Sequence, residues 1–261
     1  MMLGGTMSYL KALRGLSLRF AVVLLLGVGL SACTTVTKVK TKAIATLEKV
    51  SEKTGIGNNP DDPLEGFNRS MFAFNESVDS TVLKPVAQVY QKVTPSLVKT
   101  AIGNFFSNAG DVWTAVNNIL QGNFSDGAND FMRFAINTTV GVGGLIDVAS
   151  AGGMPKHQAD FGQTLGVWGV PAGPYVVLPI LGPSTLRDTL ATPIDFKGDI
   201  LYSRGSMAFR NTTSVLKVVD KRANALDAVS LIEEAALDKY VFIRGAYLQR
   251  RESQIHKDED E

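Results

Sequence analysis

Residues 62–78 read Asp-Pro-Leu-Glu-Gly-Phe-Asn-Arg-Ser-Met-Phe-Ala-Phe-Asn-Glu-Ser-Val. Phe67, Met71, Phe74 and Val78 recur at helical spacing and make one apolar stripe. Asp62 is placed to cap this helix, and Pro63 to occupy its first position, where a missing N–H costs nothing. The pattern repeats downstream. Residues 82–93 read as a second short helix after Lys84-Pro85. Thr94-Pro95 opens a third, carrying Leu97, Val98, Ile102, Phe105 and Phe106. Residues 111–120 and 125–136 give two more, separated by Gln121-Gly122-Asn123. The expected fold class is mostly α: a compact bundle of short amphipathic helices forming a single domain.

The character changes at Asn137. From there to Arg187 the only formal charges are Asp147, Lys156 and Asp160, and residues 161–186 carry none. Glycine and proline punctuate this apolar middle, which forbids a long helix. Residues 176–178 and 165–168 read as short strands. The stretch is either a buried core segment or a surface that faces lipid tails or lines a slot for an amphiphile. Within it, Gly141-Val142-Gly143-Gly144 is either a hinge or a tight turn closed by Ile146 and capped by Asp147.

Helical pattern resumes after Ser206. Val215, Val218, Val219, Ala223 and Leu226 mark one helix; Val229, Ile232, Ala236 and Tyr240 mark the next, running on to Tyr247. Residues 251–261 read as a charged, frayed tail.

Upstream of the body, residues 1–20 carry Lys11, Arg14 and Arg19 and no acid, and an apolar run over residues 20–30 leads to Leu30-Ser31-Ala32-Cys33. A basic region, a short apolar region and small residues at the cut site make a secretory signal peptide over 1–32. The run is too short to span roughly 30 Å of hydrocarbon. Its ending resembles the lipobox of bacterial lipoproteins, in which the cysteine is lipidated and becomes the mature N-terminus. Cys33 is the chain's only cysteine. Thr34 follows it where, in such lipoproteins, an aspartate favours the inner membrane, so the expected address is the outer membrane. Residues 33–60, rich in Thr and Lys and closed by Gly55, Gly57, Asn58, Asn59 and Pro60, form a lipidated tether. Its lysines lie either near anionic headgroups or in a solvated linker. Residues 61–250 form the folded body.

Of 261 residues, 26 are basic and 25 acidic, a net charge of +1, which implies no polyanion-binding surface and no nucleic-acid partner. With a single cysteine there is no intramolecular disulfide, so folding rests on packing. Ser184, His157 and Asp160 are the residue types of a hydrolytic triad, yet the Gly-x-Ser-x-Gly elbow is absent, and Ser184 reads better as a helix cap ahead of Arg187-Asp188. No Cys/His spacing suits a metal and no glycine loop suits a phosphate-bearing cofactor. The expectation is no enzyme, no cofactor and no metal.

Motifs along the body match one family in order. They are Asp62-Pro63-Leu64-Glu65-Gly66-Phe67-Asn68-Arg69, Lys84-Pro85-Val86-Ala87, Asn104-Phe105-Phe106-Ser107-Asn108 and Leu120-Gln121-Gly122. Asn137-Thr138-Thr139, Asp160-Phe161-Gly162-Gln163-Thr164-Leu165-Gly166 and Gly173-Pro174-Tyr175 come next. Gly182-Pro183-Ser184-Thr185 and Ala246-Tyr247-Leu248-Gln249-Arg250 complete the set. The chain strongly resembles the MlaA/VacJ family of outer-membrane lipoproteins over roughly residues 61–250. It departs at Ala109-Gly110-Asp111-Val112, where the family more usually has a Leu-x-x-Pro type sequence, and its acidic tail is short.

The resemblance implies a ring-like body in the inner leaflet of the outer membrane. An amphipathic channel would let phospholipids leave the outer leaflet. A soluble periplasmic carrier, an energising inner-membrane ABC-type complex and trimeric porins are the implied partners. No bond is broken, so no catalytic residue is needed. Candidate channel or hinge residues are Gly141, Gly143, Gly144, Asn137, Asp147, Gln163 and Arg187, with capping or bridging of helices as the alternative for the polar ones. The competing function is a structural lipoprotein that tethers or stabilises a porin or an assembly complex.

Overall fold

The computed structural model describes residues 59–203 and 205–256. The expected signal peptide, Cys33, the tether up to residue 58 and the last five residues of the tail lie outside them. The described residues form one mostly helical unit.

Helix α1 (Glu65–Val78) runs through a π-helical turn (Asp79–Leu83) into α2 (Lys84–Val93). The break expected near Lys84-Pro85 does not occur. Pro85 falls in the first turn of α2, where its missing N–H removes no needed bond, and Arg222 clamps the π turn with two hydrogen bonds to Asp79 at 2.6 and 2.7 Å. Nor does Asp62 cap α1. The helix starts at Glu65 with no side-chain cap. Asp62 is buried and accepts instead from Asn68 at 3.0 Å and from the Tyr240 hydroxyl.

Helix α3 (Ser96–Leu120) is one helix of 25 residues where two were expected. Gly110 costs the helix interior about 1 kcal/mol, but packing of α3 against its neighbours overrides that. Asp111 is turned towards Lys156 and Arg133 rather than capping a new helix. Helix α4 (Phe124–Thr139) folds back on α3, and their interface is polar: Asn118 donates to Asp130 at 2.7 Å and Asn108 to Thr138 at 3.0 Å.

Asp147 caps α5 (Val148–Ala151), and Asp160 caps α6 (Phe161–Val167) by accepting from the Gln163 N–H at 2.9 Å. Residues 165–167, expected in a strand, are therefore helical; the cap at Asp160 starts a helix that the following glycine-rich loop soon ends. Strand β1 (Tyr175–Leu178) forms as expected and pairs antiparallel with β2 (Gly182–Thr185), Tyr175 facing Thr185 and Leu178 facing Gly182. Helix α7 (Leu186–Gly198) is capped by Thr185, whose hydroxyl accepts from the Asp188 N–H at 3.2 Å; Ser184, the expected cap, is held in β2 by strand pairing.

After α8 (Ile200–Ser203), α9 (Met207–Asn224) starts directly after Ser206, where helical pattern was expected to resume, and the Ser206 side chain caps it. Leu226 opens α10 (Leu226–Ala235), and Ala236 lies in the break before α11 (Lys239–Ile255), which Asp238 caps. The frayed tail expected from residue 251 is helical to Ile255, because Arg251 is fastened to Asp160 and Asp188.

The aromatic core is small: Tyr175, Val177 and Tyr240, flanked by Phe72 and Tyr247, with rings 5.7–6.2 Å apart. Elsewhere the usual partition is inverted. Among the described residues, buried polar side chains outnumber buried apolar ones, and most of the latter are alanines. Large apolar side chains lie outside, as in the row Val86, Val89, Val93 and Leu97, the last 80% exposed. No helix among the described residues is long and apolar enough to cross a membrane.

Candidate functional site

Two adjoining cavities open between the helices, one of about 620 Å³ and one of about 340 Å³. Gly110, Thr114, Gln158, Lys217 and Lys221 border both. On α3, Gly103, Ser107, Gly110 and Thr114 succeed one another at helical spacing and line the smaller cavity. This row of small side chains leaves room: a Cβ on Gly110 would meet nothing within 4 Å. On α9, Lys217, Lys221 and Asn224 share one face and look into the same space.

The larger cavity is walled by Trp113 and Thr114, by Gln163 of α6, by Leu178, Leu181 and Pro183 of the hairpin, and by polar residues of α7 and α11. Its charges are strongly engaged. Burial would raise the Asp188 carboxyl, but Arg251, Tyr247 and Arg187 outweigh it and hold the pKa below the ordinary range. The Asp199 carboxyl is likewise disfavoured by burial, yet Lys217 at 2.7 Å brings it below that range. Burial raises Asp195, which accepts from the Trp113 indole and the Phe161 N–H, both at 2.8 Å. Burial and neighbouring Lys217 lower the Lys221 ammonium.

Of the polar residues singled out in the sequence, Gln163 borders the larger cavity; Asn137, Asp147 and Arg187 border neither. Those three bridge elements. Asn137 donates to Asp147 at 2.9 Å and accepts from the Ala149 N–H at 2.9 Å. Burial pushes Asp147 up, but hydrogen bonds from Ser150 and Asn137 and the Arg133 charge prevail and bring it down to about 2. Arg187 donates to Asp188 at 2.9 Å and to the Val170 carbonyl at 3.3 Å. The Gly141–Gly144 segment is a tight turn: the Gly143 N–H reaches Thr138, the Gly144 N–H reaches Asn137, and the Ile146 N–H reaches Gly141. Val142 takes φ 54°, and a Cβ on Gly144 would collide with Asn108.

Ser184, His157 and Asp160 do not meet as a triad. Ser184 bonds Thr189, His157 bonds Asp130 and Asp160 bonds Arg251. Trp113, Asp195, Asp199, Lys217, Lys221 and Arg251 are cavity residues that the sequence reading missed. The small-residue row on α3 and the i, i+4, i+7 polar face on α9 were the available signals.

A cleft with both polar and apolar walls, inside a helical body that exposes many large apolar side chains, is the pattern of a protein whose surface meets a partner or a membrane as well as water. Residues 60–254 match the family model described as MlaA lipoprotein, and the chain belongs to that family. It is 39% identical over 73% of its length to the "Intermembrane phospholipid transport system lipoprotein MlaA" of Escherichia coli, covering 77% of that protein. The protein of the same name from Haemophilus influenzae is 33% identical, over 83% of this chain and 92% of its own length. A solved structure described as "Structural basis for maintenance of bacterial outer membrane lipid asymmetry" superposes with a TM-score of 0.66 at 39% identity, over 75% of this chain and 99% of its own.

Proposed function

We propose that this chain is an outer-membrane lipoprotein, anchored through Cys33 on the periplasmic side, that withdraws mislocalised phospholipids from the outer leaflet through the polar cleft. The lipid passes to a soluble periplasmic carrier for retrograde transfer, energised by an inner-membrane ABC-type complex, and a trimeric porin supports the body in the membrane. The observation that carries this reading is the amphipathic cleft of about 620 Å³ in a body that exposes many large apolar side chains. A phospholipid leaving a leaflet must carry a charged headgroup past hydrocarbon, and polar walls lower that desolvation cost. Exposed apolar helix faces suit contact with acyl chains. The Gly141–Gly144 turn, anchored by Asn137 and Asp147 outside the two cavities, would then serve as a hinge between α4 and α5. The chemistry is transfer without bond cleavage.

The test is outer-leaflet phospholipid in intact cells lacking the gene, complemented with wild type, Cys33→Ala or Gly110→Phe. A rise on deletion, reversed by wild type and by neither variant, supports lipid removal through an anchored cleft. No rise, with porin level or assembly altered instead, would favour the structural lipoprotein and overturn this reading.

A further inference from the structure

The charges that face the two cavities do not cancel group by group. Every carboxylate among their lining residues is already engaged. Asp111 holds Lys156 and faces Arg133, and Asp220 accepts from Tyr90 at 2.9 Å and from Asn224 at 3.2 Å. Asp160 and Asp188 share Arg251, whose bonds to them run 2.6–2.9 Å. Asp195 is taken by Trp113 and the Phe161 N–H. Asp199 gives one oxygen to Lys217 and the other to the Leu201 and Tyr202 N–H groups.

Lys221 is different. It stands one helical turn after Lys217 and borders both cavities, and the described residues offer its ammonium neither a hydrogen bond nor an ion pair. Across the space from α9, Gly110 leaves an open gap on α3. The junction of the cavities therefore presents an ammonium without a hydrogen-bond or ion-pair partner and room beside it.

We infer that Lys221 selects headgroups in the cleft, favouring phospholipids of net negative charge over zwitterionic ones. This rests on the transport reading above. A net anionic phosphodiester supplies the partner that Lys221 lacks, in a charge-assisted bond of a partly desolvated site. A zwitterionic headgroup brings its own ammonium, which already screens its phosphate and leaves Lys221 less to gain. Lys217 reinforces the local positive field while remaining tied to Asp199.

The experiment places the full chain in nanodiscs of equal phosphatidylethanolamine and phosphatidylglycerol, re-isolates it and quantifies the retained lipids by mass spectrometry. Wild type is expected to retain phosphatidylglycerol in about tenfold excess over the bulk ratio, the scale of one charge-assisted hydrogen bond. Lys221→Gln should return the ratio to bulk, and Lys221→Arg should keep the excess. Retained lipid with no headgroup bias in wild type, or bias surviving in Lys221→Gln, overturns this inference alone. No retained lipid in any form overturns the transport reading as well. Inorganic phosphate supplies a control for the other source of the same chemistry. If phosphate shields Lys221 from amine acylation and phosphatidylglycerol does not, the site is one for the free ion and headgroup selection fails.

Discussion

Asn68 and Asn75, seven residues apart on one face of α1, together hold four backbone groups of the β1–β2 hairpin. Asn68 donates to the Tyr175 carbonyl at 3.0 Å and accepts from the Val177 N–H at 2.9 Å; Asn75 donates to the Leu178 carbonyl at 2.9 Å and accepts from the Ile180 N–H at 2.7 Å. Two amide side chains thus stand in for a third strand along a sheet edge. They let a two-stranded sheet, marginal by itself, form one wall of the cleft. Asn68→Ala should cost about 2 kcal/mol or more, since it leaves buried backbone groups without partners. Asn75, half-buried, should cost less. Denaturant titration of the two variants checks the order, and equal costs would contradict it.

The buried Arg133 guanidinium joins α4 to three neighbours: Asp111 at 3.7 Å, Asp147 at 3.1 Å and the Met154 carbonyl at 2.6 Å. Arg133→Met removes one partner from buried charges and should destabilise by about 3–5 kcal/mol. A thermal melt showing a change of less than about 1 kcal/mol would refute the brace.

Asp147 is held at about 2, against an ordinary 3.8. The folded pKa is depressed, so its stabilisation is fully present above about pH 4 and is lost as pH falls towards 2. The difference corresponds to about 2 kcal/mol. Asp147→Asn should therefore be less stable than wild type at pH 7, with the gap closing by pH 2. A gap independent of pH would argue that the carboxylate's charge contributes nothing.

Gly110 tests the cleft without testing the fold. A Cβ there meets nothing within 4 Å and Gly110 borders both cavities, so Gly110→Phe should keep the melting temperature while restoring none of the lipid-removal activity to deleted cells. Gly110→Ala, a better helix former, should be neutral or mildly stabilising and remain active.

Arg251 fastens α11 to Asp160, the cap of α6, and to Asp188 in the first turn of α7. Burial disfavours its charge, but Asp160 and Asp188 raise its pKa well beyond the ordinary value. Ending the chain after Arg250 should free residues 239–250 to exchange amide hydrogens faster and leave Asp188 without its strongest partner. Hydrogen exchange read by mass spectrometry would show this; unchanged protection over residues 239–250 would mean the segment beyond Arg250 is dispensable.

Much of the helical content was legible because apolar periodicity is local. The stripe of Phe67, Met71, Phe74 and Val78 predicts α1, and Ser206 marks the start of α9. Boundaries failed where a distant partner outbid a local signal. Asp62 reads as a cap until Tyr240 and Asn68 claim it. Asp111 reads as a helix start until Lys156 and Arg133 turn it inward. Arg251 reads as part of a solvated tail until two aspartates from other helices reach it. The polar candidates Asn137, Asp147 and Arg187 were recognisable as unusual in an apolar stretch, but spacing alone does not say whether a polar side chain meets a cavity or another side chain.

The sequence by itself determined the family, through motifs that follow in order over residues 61–250, and the mostly α class, because helical periodicity is local. Only the tertiary structure decided that the polar faces of α3 and α9 enclose a cleft while rows such as Val86, Val89, Val93 and Leu97 face outward. A helical stripe tells which residues share a face; what medium that face meets is set by the elements packed against it.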